Sequence, residues 1–205
     1  MTVIHLSREP VLIRCGKAHR FIESSEDEIQ NYPLSITDEF AYFQGREPGT
    51  GAFAYRWPLC DFKHRIEMPL RVGGHWGALN DNLFLVSGYS NRTKHWGVKV
   101  LSSEGQVKFQ ATMLKHESAG AIRSSERGDR IAVDMLTLRG GNRTLDISDH
   151  VTARRVAVYE VEAGKEIASI PVNPKFHYRF EFDLSPDGHC LAILEDDIVK
   201  LVDLK

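Results

Sequence analysis

The chain has 205 residues, 42% of them hydrophobic and 26% charged, which is the composition of a folded globular protein and not of a disordered one. Its 26 basic and 28 acidic residues leave a net charge of -2, so no overall field draws in a phosphate backbone or an anionic bilayer, and neither nucleic acid nor membrane is an expected partner. Cys15, Cys60 and Cys190 are odd in number and far apart, which fits reduced thiols in a cytoplasmic protein better than a disulfide framework; Met1 to Glu9 (MTVIHLSRE) lacks the features of a signal peptide, and no apolar run is long enough to span a bilayer.

In chain order the pattern predicts short β-strands throughout and no long helical window. TVIHLSREPVLIRC (Thr2 to Cys15) reads as two strands about a turn at Ser7, with HRFIE and IQNY as two more; the acidic ESSEDE (Glu23 to Glu28) is a solvated turn. LSITDEFAYF (Leu34 to Phe43), AFAYRW (Ala52 to Trp57) and RIEMPL (Arg65 to Leu70) follow. WGALNDNLFLVSG (Trp76 to Gly88) and WGVKVLSSEGQVKFQAT (Trp96 to Thr112) then give strand, Asn-Asp-Asn turn, apolar strand, loop, strand, Ser-Glu-Gly turn and strand. RSSERGDRIAV (Arg123 to Val133) and RVAVYEVEAGKEIASIPV (Arg155 to Val172) repeat that order. In the tail, Phe180 and Phe182 alternate with Glu181 and Asp183 before a Ser-Pro-Asp-Gly turn. Pro186 presets φ there, Asp187 bonds its own downstream backbone and Gly188 tolerates positive φ. LAIL (Leu191 to Leu194) is an inner strand, Glu195-Asp196-Asp197 a hairpin, and Ile198 to Leu204 a third strand with no fourth after it.

Displaced by 60 positions, Ser125 falls on Ser185, Gly128 on Gly188 and Ala132 on Ala192, so the chain repeats itself. About five units emerge, near residues 1–31, 32–72, 73–114, 115–172 and 173–205, and because a four-stranded unit of about 40 residues cannot bury both faces alone, copies must stack. The strand, Ser-Pro-Asp-Gly, LAIL and VKLVDL signature resembles a blade of the WD40-like β-propellers, especially the divergent bacterial ones. That resemblance implies a single all-β domain over residues 1–205, a β-propeller or partial propeller of about five four-stranded antiparallel blades with the last blade three-stranded. The chain departs from the family in that Val202-Asp203 and Tyr159-Glu160 stand where Trp-Asp is usual, and the Gly-His that commonly opens a blade survives once, as Gly74-His75. The family's buried polar set is therefore not carried over, although Asp196 or Asp197 occupies its turn position. A missing last strand leaves an edge, so either a five-blade ring closes over the short blade or an arc exposes the flat faces of its end blades.

Antiparallel succession places the loops after the second and fourth strands of every unit on one face, where length is concentrated: Gly45 to Gly51, Gly88 to His95 and Thr137 to Thr152. Candidate binding residues on that face are His75 and Trp76, His95 and Trp96 (each pair in a His-Trp-Gly), Arg139, Arg143, His150 and His177, with His116 nearby. Convergent imidazoles can bind a metal or act as acid and base. A histidine between blades equally caps backbone groups, Trp76 and Trp96 equally pack, and Arg139, Arg143, Arg154 and Arg155 can grip a carboxylate or be answered by Asp146 and Asp149. Catalytic motifs fail: Asp183-x-Ser185-x-Asp187-Gly188 has Leu194 at the twelfth position of a calcium loop, His116-Glu117 lacks a second histidine, and Arg92 replaces the last glycine of a nucleophile elbow. The expectation is a non-enzymatic scaffold without metal or cofactor, binding a protein partner through the long-loop face or self-associating through exposed blade edges. The alternative is a metal-dependent or hydrolytic propeller enzyme using the histidines of that face.

Overall fold

The computed structural model describes residues 2–6, 9–14, 17–20, 35–37, 39–47, 51–60, 66–71, 75–90, 95–139, 151–173, 180–195 and 197–205. Among the described residues there are eighteen strands and no helix, so none that is long and apolar enough to cross a membrane. They form five antiparallel sheets in chain order. The first holds β1 (Thr2–Leu6), β2 (Glu9–Arg14) and β3 (Lys17–Arg20), and the second β4 (Ser35–Ile36), β5 (Phe40–Glu47), β6 (Gly51–Pro58) and β7 (Ile66–Arg71). The third holds β8 (His75–Ala78), β9 (Leu83–Ser90), β10 (His95–Ser102) and β11 (Val107–Thr112). The fourth holds β12 (Glu117–Ser124), β13 (Arg130–Leu138), β14 (Val151–Glu160) and β15 (Lys165–Val172), and the fifth β16 (Glu181–Leu184), β17 (Cys190–Glu195) and β18 (Ile198–Asp203).

The expected all-β chain of about five antiparallel units with a three-stranded last member is what forms. LSITDEFAYF is divided at Thr37, whose side-chain oxygen accepts the Phe40 N–H at 3.2 Å while the Thr37 N–H donates to the Phe40 carbonyl at 2.9 Å. A hydroxyl that satisfies nearby backbone competes with the ladder and ends β4 early. IQNY and the last residues of HRFIE lie outside the described residues.

The turn between the first two strands of each later sheet is built by side-chain oxygens. Ser125 Oγ accepts the Arg130 N–H at 3.1 Å and Ser185 Oγ accepts the Cys190 N–H at 2.9 Å, while Asp187 Oδ1 takes the His189 N–H at 3.0 Å. These turns also join one another. Thr37 is hydrogen-bonded to Asp81, Asn80 Nδ2 donates to the Arg127 carbonyl at 2.7 Å, and the Glu126 N–H donates to the Pro186 carbonyl at 3.0 Å. Arg130 Nη1 reaches the carbonyls of Gly188 at 3.0 Å and Leu204 at 3.2 Å, tying the end of the chain to the fourth sheet. Gly188 sits at φ 74°, and a Cβ there would crowd its neighbours, standing 3.0 Å from Arg130 Cδ and 3.2 Å from Ser125 Cβ.

Apolar cores lie between consecutive sheets. Tyr42, Ala54 and Met68 of the second sheet meet Phe84 of the third, with the Tyr42 and Phe84 rings edge-on at 5.2 Å. Val98, Val100 and Phe109 of the third meet Ile131, Val133, Met135, Ala157 and Tyr159 of the fourth. Ala132, Val156 and Val158 of the fourth meet Phe182, Leu184, Leu191 and Ile193 of the fifth. β13 is thus buried on both sides, which is why RIAVDMLTL reads as a nearly continuous apolar run. Each such buried Leu or Ile contributes roughly 1.5–3 kcal/mol, enough to hold together sheets that could not shield themselves.

Candidate functional site

The third sheet brings the backbone of both His-Trp pairs to one end of its strands. His75 pairs with Ser87 and Trp76 with Val86, while His95 pairs with Ser90 and Trp96 with Tyr89. The two histidines thus occupy backbone positions near one end of the sheet. Trp96 packs against the core between the third and fourth sheets. His95 Nδ1 is buried and has no hydrogen-bond partner among the described residues.

The strongest polar arrangement joins Arg154, which the sequence marks as able to grip a carboxylate, to Asp134, which no motif points to. Asp134, in the middle of the β13 run, receives two parallel bonds from Arg154 at the start of β14, from Nε at 2.8 Å and Nη2 at 2.7 Å. Both side chains are buried, and the Arg154 guanidinium lies 3.6 Å from the centre of the Phe180 ring. This pair faces the fifth sheet beside Val156, where its bidentate geometry and stacked ring offset part of the desolvation cost. A Cβ on Gly120 of β12 would stand 2.4 Å from Asp134 Oδ2, so the glycine makes room for the carboxylate. A lone Asp in an otherwise apolar inner strand was the available signal. Arg155 is also engaged by acids of the same sheet, reaching Glu166 Oε1 at 2.7 Å and Glu117 Oε1 at 3.8 Å. Nearby, Tyr159 is pushed up to about 12, first by burial and then by the Glu166 carboxylate.

Among the described residues, an exposed turn lies between β11 and β12. The Leu114 N–H donates to Glu117 Oε2 at 2.9 Å, the Glu117 N–H donates to the Leu114 carbonyl at 2.9 Å, and the Leu138 N–H donates to the His116 carbonyl at 2.8 Å. Held by these bonds, Leu114 is 71% exposed, with Lys115, His116 and Arg139 exposed around it. Arg143, His150 and His177 lie outside the described residues. Among the described residues no three His, Cys, Asp or Glu side chains are grouped to hold a metal.

Solved structures supply a comparison. Hydrazine synthase of Kuenenia stuttgartiensis superposes with a TM-score of 0.60 over 97% of this chain and 59% of that one, at 14% identity. The β-propeller domain of the trilobed protease from Pyrococcus furiosus superposes with a TM-score of 0.55 over 96% of this chain and 61% of that one, at 12% identity. The fold is a β-propeller. A prolyl endopeptidase matches the propeller at 0.57, over 96% of this chain and 30% of that one, at 14% identity. The chain thus spans less than two thirds of the length of these structures, and its five sheets, the last of three strands, are those of a partial propeller. No sequence family and no curated protein matches the propeller, and likeness at this identity concerns fold alone.

Proposed function

We propose that this propeller is a non-enzymatic, WD40-like protein-binding scaffold that meets its partner through the loop face between β11 and β14. One observation carries the reading: Leu114 stands 71% exposed on a turn that three hydrogen bonds hold in place. A rigid exposed Leu costs little ordering entropy on docking and gains roughly 1.5–3 kcal/mol when covered, and the surrounding Lys115, His116 and Arg139 supply a basic rim. Cys60 and Cys190 form no disulfide, which is compatible with a cytoplasmic setting.

The test compares proteins retained by immobilised wild type with those retained by Leu114→Asp/Arg139→Glu. A partner is expected whose affinity falls at least about tenfold, or 1.4 kcal/mol, in a variant with unchanged circular dichroism. Identical retention by both proteins would refute the assignment to this face. The buried, unpartnered His95 Nδ1 favours a second reading, a metal-dependent or hydrolytic propeller. Stoichiometric metal found by elemental analysis in wild type and lost in His95→Ala would select it instead.

A further inference from the structure

The turn between β11 and β12 is tied to backbone on both sides. The Met113 N–H donates to the Trp96 carbonyl at 3.0 Å and the Leu138 N–H donates to the His116 carbonyl at 2.8 Å, which brings the Arg139 backbone next to Lys115 and His116. The acids of the same segments are engaged inside the protein. Glu117, its side chain 12% exposed, accepts the Leu114 N–H at 2.9 Å and lies 3.8 Å from Arg155, while Asp134, 4% exposed, is held by the two bonds from Arg154. Between Thr112 and Glu117 and between Asp134 and Arg139, the charged side chains left facing solvent are therefore Lys115 and Arg139, both basic. The exposed His116 ring adds a further N–H donor.

Charge and apolarity together restrict what can cover this turn. A wholly apolar partner would strip water from a guanidinium and an ammonium and return no hydrogen bond. A wholly acidic one would leave Leu114, 71% exposed, in water. The net charge of -2 means that the positive potential belongs to the turn and not to the molecule, so a long polyanion gains nothing beyond it. Resting on the reading of the Leu114 turn as the docking surface, we infer that the partner presents a short acidic segment in which carboxylates flank an apolar residue. The apolar residue covers Leu114, and the carboxylates meet Lys115 and Arg139, the latter able to hold one bidentately.

Panning the full chain against a displayed library of short random peptides, followed by titration of the enriched peptides in synthetic form, tests this. Enriched peptides are expected to carry Asp or Glu on both sides of Leu, Ile or Phe and to bind more weakly as salt rises. Their affinity should fall at least about tenfold with Lys115→Glu/Arg139→Glu, and as far with Leu114→Asp. All three positions are exposed, so both variants should keep the wild-type circular dichroism and thermal midpoint. Exchanging a peptide's acids for lysines should abolish binding to wild type and restore it to Lys115→Glu/Arg139→Glu, a reversal that a structural effect of the substitutions would not give. Neutral or basic peptides that bind and are lost with Leu114→Asp would overturn the acidic partner while leaving the turn as the docking surface. Peptides indifferent to Leu114→Asp, or no enrichment at all, would overturn the docking surface and the acidic partner together. Phosphatidylserine vesicles or a single-stranded oligonucleotide held by wild type, and lost with the charge reversal but not with Leu114→Asp, would replace the peptide by a bare polyanion.

Discussion

Replacing Asp134 by alanine removes the acceptor of two guanidinium bonds, at 2.8 and 2.7 Å, and leaves Arg154 with a side chain only 6% exposed. The Phe180 ring at 3.6 Å blocks a route to solvent on one side, and the core between the fourth and fifth sheets lies beside it. A buried charge stripped of its partner costs about 3–5 kcal/mol, a large share of the roughly 5–15 kcal/mol that holds a domain folded. At about 2–4 °C per kcal/mol for a chain of this size, the thermal midpoint should fall by about 6–20 °C. Asp134→Leu/Arg154→Met discharges both positions and gives the fourth sheet the residue type the fifth has at Leu194, so it should lie within about 1 kcal/mol of wild type. Urea unfolding of wild type, both single variants and the pair measures the coupling, expected at about 2 kcal/mol or more. A loss below about 1 kcal/mol for Asp134→Ala, or single losses that simply sum to the pair, would refute the reasoning.

Two further predictions concern neighbouring features. Gly188→Ala should destabilise more than Gly164→Ala: both sit at positive φ, 74° and 65°, but only the former would press a Cβ against Arg130 and Ser125, adding about 1 kcal/mol. Equal losses in urea would show that the fit between adjacent turns carries no weight. Tyr159 is held near 12 by burial, then by Glu166, whereas the unfolded phenol ionises near its ordinary value of about 10. The unfolded chain therefore loses that proton first, so the contribution is complete below about pH 10 and disappears as pH rises toward 12, by at most about 3 kcal/mol. Tyr159→Phe should show a shallower fall in stability across that window, and parallel curves would sink the assignment.

Much of the fold was legible because turn chemistry is local. Ser-Pro-Asp-Gly at 185–188 forms the bonds its side chains predict, and LAIL becomes β17. The break at Thr37 was not legible, since LSITDEFAYF looks like one strand until a hydroxyl satisfies the backbone three residues on. The site was less readable for a different reason. His75 and His95 are brought to one end of the third sheet by its pairing register, a non-local property that spacing does not show. Arg154 was marked as able to grip a carboxylate, but spacing alone pointed to Asp146 or Asp149; its partner Asp134 lies 20 residues back, hidden in an apolar strand.

The interlocked turns make the molecule unequal in what it tolerates. One added residue at Asn80, Arg127 or Pro186 would disturb two sheets at once, because each of these positions serves a bond whose other half belongs to a neighbouring repeat. Inheritance and engineering alike therefore have little latitude along this rim, which serves as the fixed ruler that keeps the repeats in step.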